Sequence, residues 1–123
     1  MAILSRCQAG KWALVSSEAV ELELNKTRDN DKLKKIFALL SMAEEKLKLN
    51  EAVVSRSLEF QKNGIKPMDS LHLAVAEISK VDVLLTTDDV FLRNTIRMNL
   101  NITVANPVTW YMEVMRNEWQ HGN

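Results

Sequence analysis

The chain has 123 residues, which is typical of a single domain, and 46% of them are hydrophobic while 26% are charged. The formal net charge is zero, which argues against a strong non-specific nucleic-acid binder, because such proteins usually carry a basic excess. The single cysteine, Cys7, cannot form an internal disulfide, so we expect a reducing, cytoplasmic compartment. We expect neither a signal peptide nor a membrane span, since the start of the chain lacks a long apolar run.

The first half of the chain predicts one buried strand among helices. "WALVSS" is a short apolar run that ends in hydroxyls, and Ser16 or Ser17 can cap the helix that follows. A second helix is predicted from apolar residues that recur at helical spacing, with lysines on its solvated side. The predicted elements are a helix at 2–9 closed by Gly10, a strand at 12–17, a helix from Glu18 to Thr27, a helix at 32–47 capped by Asn30 or Asp31, an extended link at 46–49, and a helix at 51–63 capped by Asn50.

The second half predicts a regular alternation of helix and strand. In "GIKPMDSLHLAVAE", Gly64 ends one helix and Pro67 begins the next. The predicted elements are a helix at 67–79, a strand at 81–87, a helix at 89–98, a strand in "NITVAN", a helix from Pro107 and a loose tail at 117–123. Because each clear strand is a solid apolar run, the sequence predicts one α/β domain over 1–123, with a short parallel sheet covered on both faces.

The helix at 67–79 places an acid and an imidazole on a semi-buried face. Asp69 and His72 lie on one side, opposite Leu71 and Val75, and only Ser70 and Glu77 form a plainly polar flank. A buried carboxylate is costly unless it is paired or binds a cation. Taken alone, Asp69 is equally well explained as a first-turn acid favoured by the helix dipole. His72 taken alone is more often an interior histidine with its hydrogen bonds satisfied than a ligand.

Acids also follow the two predicted strands at their carboxyl ends, where α/β folds bind ligands. After the first strand come Ser17, Glu18, Glu21 and Glu23, and after the second come Thr86, Thr87, Asp88 and Asp89. Thr87 and Asp88 alone would predict a helix cap. Together with Asp69 they predict a hard-cation site, because Mg²⁺ and Mn²⁺ prefer carboxylate oxygens. Such a site can orient a water and stabilise the charge that develops on a phosphodiester during hydrolysis.

Three stretches carry a resemblance to a known family. "KPMDSLHLAVAE", "VDVLLTTDD" and "ITVANPVTW" together resemble the C-terminal two thirds of PIN domains, the fold of VapC-like toxin ribonucleases. The family's D-x-x-H-x-A pattern is matched by Asp69, His72 and Ala74, its T-T-D pattern ends at Asp88, and its V-x-N-P pattern is matched at 104–107.

A fourth stretch extends the resemblance upstream. "SSEAVELELNK" resembles the family's second strand and helix, where a Glu lies six residues after a Ser; from Ser17 that position is Glu23. The resemblance covers about residues 12 to 112. It is fairly specific as a set, although each motif alone is weak.

The resemblance implies a three-layer α/β/α PIN-like fold and a Mg²⁺- or Mn²⁺-dependent endoribonuclease. Its partners would be RNA and an antitoxin protein. The implied metal ligands are Asp69, Asp88, Glu23 and Asp89, and the supporting residues are His72, Thr87 and Ser17. Asp69, Asp88 and Glu23 would also be the catalytic acids. Asp89 would assist them or cap the next helix, and His72 would orient Asp69.

One part of the family pattern has no counterpart. The family begins with a central strand that ends in an acid, and nothing before Trp12 resembles it. We therefore expect the chain to lack this central first strand and its catalytic Asp, through a late start codon, a truncated gene or lost activity. Its absence would leave unpaired backbone groups on both neighbouring strands, so we expect a second chain to fill the slot and form a homo-oligomer.

Two other functions are consistent with the same residues. A non-catalytic PIN-like module that binds RNA or protein would explain the missing acid and the zero net charge. A phosphoacceptor domain shares the α/β layout and the clustered aspartates. It needs a lysine after a later strand, and "ITVANP" offers none.

Overall fold

The structure is a computed structural model that describes residues 2–121. Side chains are described at all of these positions except Ala2, Leu4, Glu21, Glu23, Lys26, Lys32, Lys35, Ile36, Leu39, Leu40 and His121. The chain is mixed α/β with parallel strands, as predicted. It divides into two compact units, Met1–Ser79 and Lys80–Asn123. The single PIN-like domain over 1–123 stays a prediction.

The first unit begins with a short helix and a strand, in the predicted order. Its elements are α1 (Ala2–Gln8), β1 (Val15–Ser17), α2 (Glu18–Lys26), α3 (Asn30–Leu40), β2 (Glu45–Leu47), α4 (Glu51–Lys62) and α5 (Pro67–Ile78). β1 pairs with β2 in parallel, with Val15 opposite Glu45 and Ser17 opposite Leu47. α1 is followed by Gly10 at φ 78°, the left-handed conformation that favours glycine after a helix.

The predicted helix over 32–47 is wrong beyond Leu40, because the chain leaves α3 to form β2. The Ser41 hydroxyl donates to the carbonyl of Ala38 at 2.7 Å, just after the last turn of α3. The backbone N–H of Glu44 then donates to the carbonyl of Leu14 at 2.8 Å, which brings the chain alongside β1. This pairing with a distant segment overrides the local helical spacing.

The start of α3 also differs slightly from the prediction. The helix begins at Asn30, and the acceptor near its first turn is neither Asn30 nor Asp31 but the Asp29 carboxylate. Oδ1 of Asp29 accepts from the backbone N–H of Asp31 at 3.0 Å. The capping chemistry was therefore predicted correctly and its position was not.

The junction between α4 and α5 forms as the sequence predicts. The side chain of Asn50 accepts from the backbone N–H of Val53 at 2.9 Å and caps α4. At the other end Gly64 adopts φ 94°, and its N–H donates to Gln61 O while the N–H of Ile65 donates to Phe60 O. These two bonds form a Schellman motif, after which α5 begins at a proline.

The two helices pack against each other and hold most of the buried apolar residues of this unit. Six of the twelve residues of α5 are buried, as expected for a helix that is apolar on most sides. The buried apolar residues of α4 and α5 are Val53, Phe60, Leu73, Ala74, Val75 and Ala76.

The polar flank predicted on α5 is buried rather than solvated, because both of its members have partners. The Ser70 hydroxyl donates to the carbonyl of Ile65 at 3.2 Å. The Glu77 side chain, only 7% exposed, accepts from Arg56 on α4 twice, at Nε–Oε1 2.6 Å and Nη2–Oε2 3.3 Å. Sequence spacing on one helix could not reveal a partner on another helix.

Arg56 is held by more than one contact. Its Nη1 also donates to Oε2 of Glu59 at 2.6 Å, and its guanidinium lies 4.4 Å from the ring centroid of Phe60. The hydrogen bonds that Arg56 donates, first to Glu77 and then to Glu59, raise its pKa above the usual value. Because the pKa of Arg56 is raised further above neutral, its guanidinium remains a cation throughout the working pH range.

The second unit consists of β3 (Val83–Leu85), α6 (Asp89–Ile96), β4 (Thr103–Ala105) and α7 (Pro107–His121). β3 pairs with β4 in parallel, and the N–H of Thr86 continues the pairing by donating to Ala105 O at 2.9 Å. Oδ1 of Asn106 accepts from the N–H groups of Val108 and Thr109 at 2.8 and 3.3 Å and caps α7.

The prediction of a loose tail at 117–123 is wrong for residues 117–121, which continue α7. The Asn106 cap and Pro107 fix the start of the helix, and no glycine or proline interrupts the sequence until Gly122. Residues 122–123 lie outside the described part. Within residues 2–121, no helix has both the length and the apolar character that crossing a membrane requires.

Candidate functional site

Asp88 lies where β3 ends, and the backbone fixes its position. Its Oδ1 accepts from the N–H groups of Val90 and Phe91, both at 3.0 Å, so Asp88 is the N-cap of α6. The Thr86 Oγ1 accepts from the N–H of Asp88 at 3.0 Å. Within the described residues Oδ2 accepts no hydrogen bond. The exposed carboxylate therefore keeps one oxygen for a ligand while the other orders the helix.

Thr87 and Asp89, the two neighbours of Asp88, do not cap the helix. Asp89 is the first residue of α6, so the alternative that Asp89 caps this helix is wrong. Its carboxylate is exposed and lies in the first turn, where the helix dipole favours negative charge. Thr87 is also exposed, between the end of β3 and the cap.

Asp69 and His72 share the semi-buried face that the sequence predicts. Asp69 lies in the first turn of α5, and His72 follows three residues later on the same face. Both side chains are half-buried. The residue before the helix, Lys66, provides no side-chain cap, so the first-turn acid is the group that offsets the dipole at this end.

The residues after β1 have structural roles that the sequence only partly indicated. Ser17 is buried and caps α2, accepting from the N–H of Val20 at 3.4 Å. Oε1 of Glu18 accepts from the N–H of Leu49 at 2.8 Å, which ties the start of α2 to the chain that leaves β2. Glu23 lies on α2, which packs against α5, but its side chain lies outside the described residues.

The predicted site draws on both units. The first unit provides Ser17, Glu23, Asp69 and His72, and the second provides Thr87, Asp88 and Asp89. Among the described residues, which leave out the Glu23 side chain, no three carboxylate, imidazole or thiol groups come together as a set of metal ligands. The Mg²⁺ or Mn²⁺ site is therefore still a prediction.

One polar atom that sequence reasoning missed is the hydroxyl of Ser16 in β1. Its Oγ is buried and has no hydrogen-bond partner in the described part of the chain. A buried polar atom without a partner costs about 1–3 kcal/mol. The sequence contains no signal for the unpaired hydroxyl, because Ser16 and the adjacent Ser17 look equally suited to capping the helix.

Substitution of the two adjacent serines by alanine should have opposite effects on stability. Ser16→Ala removes the unpaired hydroxyl and should raise the free energy of unfolding by about 0.5–1 kcal/mol. Ser17→Ala removes the cap of α2 and should lower it by about 1 kcal/mol. Urea unfolding of both variants measures the difference, and a loss of stability in Ser16→Ala would show that its hydroxyl has a partner.

Comparisons with known proteins leave the family open. No protein-family model, curated protein or solved structure matches the chain. The inference of function therefore depends on the residues themselves and on their local geometry.

Proposed function

We propose that this chain is a PIN-type ribonuclease domain that hydrolyses RNA with the help of Mg²⁺ or Mn²⁺. The observation that carries the proposal is the carboxylate of Asp88. It lies at the carboxyl end of a parallel strand, with Oδ1 fixed by two backbone N–H groups and Oδ2 unbonded within the described residues. A carboxylate held in this way can bind a cation without losing the hydrogen bonds that position it.

The pairing of the strands supports a PIN-like three-layer fold. The strands form two separate parallel pairs, β1 with β2 and β3 with β4. Parallel strands connected through helices are what an α/β/α fold of this kind requires, and all four described strands are paired in parallel.

In this proposal the acids have different roles in binding the cation. Asp69 and Asp88 are the principal cation ligands, Glu23 is a third acid, and Asp89 adds negative charge beside Asp88. His72 positions Asp69 from one turn further along α5. When bound, the cation would stabilise the charge that develops on the phosphodiester and lower the pKa of an attacking water.

The resemblance also implies a partner protein and a cellular location, which we include in the proposal. VapC-like proteins are toxins restrained by a cognate antitoxin, so an antitoxin protein is the proposed partner and the cytoplasm the proposed location. RNA is the proposed substrate. The zero net charge suggests that binding depends on the cation and on local contacts rather than on a general basic surface.

The test is cleavage of a labelled RNA that contains both single-stranded and hairpin segments, with Mg²⁺ or Mn²⁺ and with EDTA. Asp88→Asn should lower the cleavage rate by about 100-fold or more, because it removes the ligand charge. Asparagine is as good an N-cap as aspartate, so the variant should remain folded. The matched control is Asp82→Asn, an exposed acid directly before β3, which should cleave within about twofold of the wild type.

Two results of this assay would contradict the proposal. Cleavage that persists in EDTA would exclude a role for the metal. Equal activities of Asp88→Asn and the wild type would exclude Asp88 as a ligand. Circular dichroism of each variant confirms that a loss of activity does not reflect unfolding.

A non-catalytic PIN-like binding module is the second candidate. It is favoured by the zero net charge, and by the lack of a three-group ligand set among the residues whose side chains are described. This candidate predicts binding of RNA or protein without turnover and without measurable affinity for Mn²⁺. Titration calorimetry with Mn²⁺ alone separates the two, because only the nuclease requires the cation.

A further inference from the structure

Two exposed arginines lie on the helix that begins at the candidate cation ligand. Arg93 lies in the last turn of α6, and Arg97 is the C-cap that directly follows the helix. Both side chains are exposed, and neither guanidinium makes a hydrogen bond or ion pair within the described residues. We call Arg93 and Arg97 the arginine row.

The arginine row gives its segment a local positive charge, although the formal net charge of the chain is zero. Between Asp89 and Glu113 these two arginines are the only charged residues. No acid of this segment therefore neutralises them. The dipole of a helix also favours cations at its C-terminal end, so both arginines are compatible with a stable α6 before any ligand binds.

The spacing of the arginine row matches an extended nucleic-acid backbone. Asp89, Arg93 and Arg97 follow one another at intervals of four residues and lie in one row on the helix surface. Four residues of α-helix span about 6 Å along the axis. Neighbouring phosphates in an extended single strand are separated by a similar distance. A phosphate held by a cation at Asp88 would therefore place the next phosphates of the strand beside Arg93 and Arg97.

An apolar side chain beside the arginine row favours a single strand over a duplex. Ile96 is 74% exposed, and it lies three residues after Arg93 on the same face of α6. An exposed aliphatic side chain and a guanidinium plane both offer surface against which an unstacked base can lie. The bases of a duplex are stacked on one another, so their faces cannot reach this surface.

We infer that Arg93 and Arg97 bind successive phosphates of a single-stranded RNA that extends from the Asp88 carboxylate along α6. A guanidinium presents paired N–H donors in one plane, which matches two oxygens of a phosphate. The contacts lie away from the reacting phosphate, so they are made equally in the bound state and in the transition state. They therefore contribute affinity rather than chemical rate. The inference rests on the proposed function, which places the scissile phosphate at Asp88.

Fluorescence anisotropy of a labelled single-stranded RNA in EDTA tests the arginine row without cleavage. Arg93→Gln and Arg97→Gln should each weaken binding about three- to tenfold, and the double variant about 10- to 100-fold. Each lost phosphate contact should lower the slope of log K against log salt concentration by about 0.7 in magnitude. Arg93→Lys retains the charge and should recover most of the affinity that Arg93→Gln loses.

The matched control is Arg116→Gln, which removes an exposed arginine of α7 and changes the net charge by the same amount. It should leave the affinity within about twofold and the salt slope unchanged. Equal losses in Arg116→Gln and in the variants of the arginine row would indicate a general effect of charge and overturn the inference. A wild type that does not bind the RNA would also overturn it.

Steady-state cleavage in Mg²⁺ separates this inference from the proposed nuclease activity. The double variant should raise KM about tenfold or more and leave kcat within about twofold, because uniform binding affects KM alone. Cleavage with an unchanged KM would overturn the arginine row and leave the nuclease in place. RNA binding that depends on both arginines, without cleavage by the wild type, would support the arginine row and reject the nuclease.

Competition against the labelled strand identifies the class of ligand. Unlabelled single-stranded RNA should displace the label at a lower concentration than a duplex of the same length. Stronger displacement by the duplex, or displacement by an acidic peptide as strong as that by RNA, would assign the arginine row to another ligand and overturn the inference. Circular dichroism and urea unfolding of each variant show that a loss of binding does not reflect a loss of folding.

Discussion

Replacing Asp69 by asparagine is expected to lower the rate of Mg²⁺-dependent RNA cleavage by about 100- to 1,000-fold, which corresponds to about 3–4 kcal/mol of transition-state stabilisation. Asp69 lies in the first turn of α5 and is half-buried. Asparagine keeps the size of the side chain and removes the negative charge that a hard cation needs. Single-turnover cleavage at saturating Mg²⁺ measures the effect on the chemical step.

The control for Asp69→Asn is Glu51→Gln, which alters an exposed first-turn acid on α4 and should leave cleavage within about twofold. Equal cleavage rates for Asp69→Asn and the wild type would contradict a role for Asp69 in the reaction.

Replacing Glu77 by glutamine is expected to lower the free energy of unfolding by about 2–3 kcal/mol. The Glu77 side chain is 7% exposed and accepts two hydrogen bonds from Arg56, whose own side chain is 31% exposed. Glutamine has the same shape but leaves the guanidinium without its buried counter-charge. We expect less than the loss from a fully buried pair because water still reaches Arg56.

The matched control uses the other carboxylate on the same guanidinium. Glu59 contacts Nη1 of Arg56 at the same 2.6 Å, but its side chain is 59% exposed. Glu59→Gln should change the free energy of unfolding by only about 0.5 kcal/mol or less. Urea unfolding of the two variants compares them directly, and equal losses would show that burial of Glu77 does not determine the strength of the pair.

Local signals predicted the boundaries of α4 and α5 well, but not the end of α3. Asn50, Gly64 and Pro67 each impose a backbone geometry that few other residues satisfy as easily, so α4 and α5 could be placed from the sequence. β2 was predicted only in part, as an extended link at 46–49, because the apolar spacing of the preceding predicted helix continues to Leu47. Its strand conformation comes from pairing with β1, about thirty residues earlier in the chain.

The candidate site was predictable to a similar extent. The sequence indicated that Asp88 is an N-cap and that Asp69 lies on a semi-buried helical face, and both follow from positions within a single helix. The burial of Glu77 and the unpaired Ser16 hydroxyl depend on contacts between elements. Spacing along one element does not contain that information, so neither was predicted.

The central claim is that the Asp88 carboxylate, which follows β3, binds a divalent cation, and paramagnetic broadening by Mn²⁺ tests it most directly. Substoichiometric Mn²⁺ is added to isotope-labelled protein, and the amide signals are followed along the chain. The claim predicts strong broadening around Asp88, and Asp88→Asn should remove it. A lack of broadening around Asp88, or broadening there that survives in Asp88→Asn, would contradict the claim.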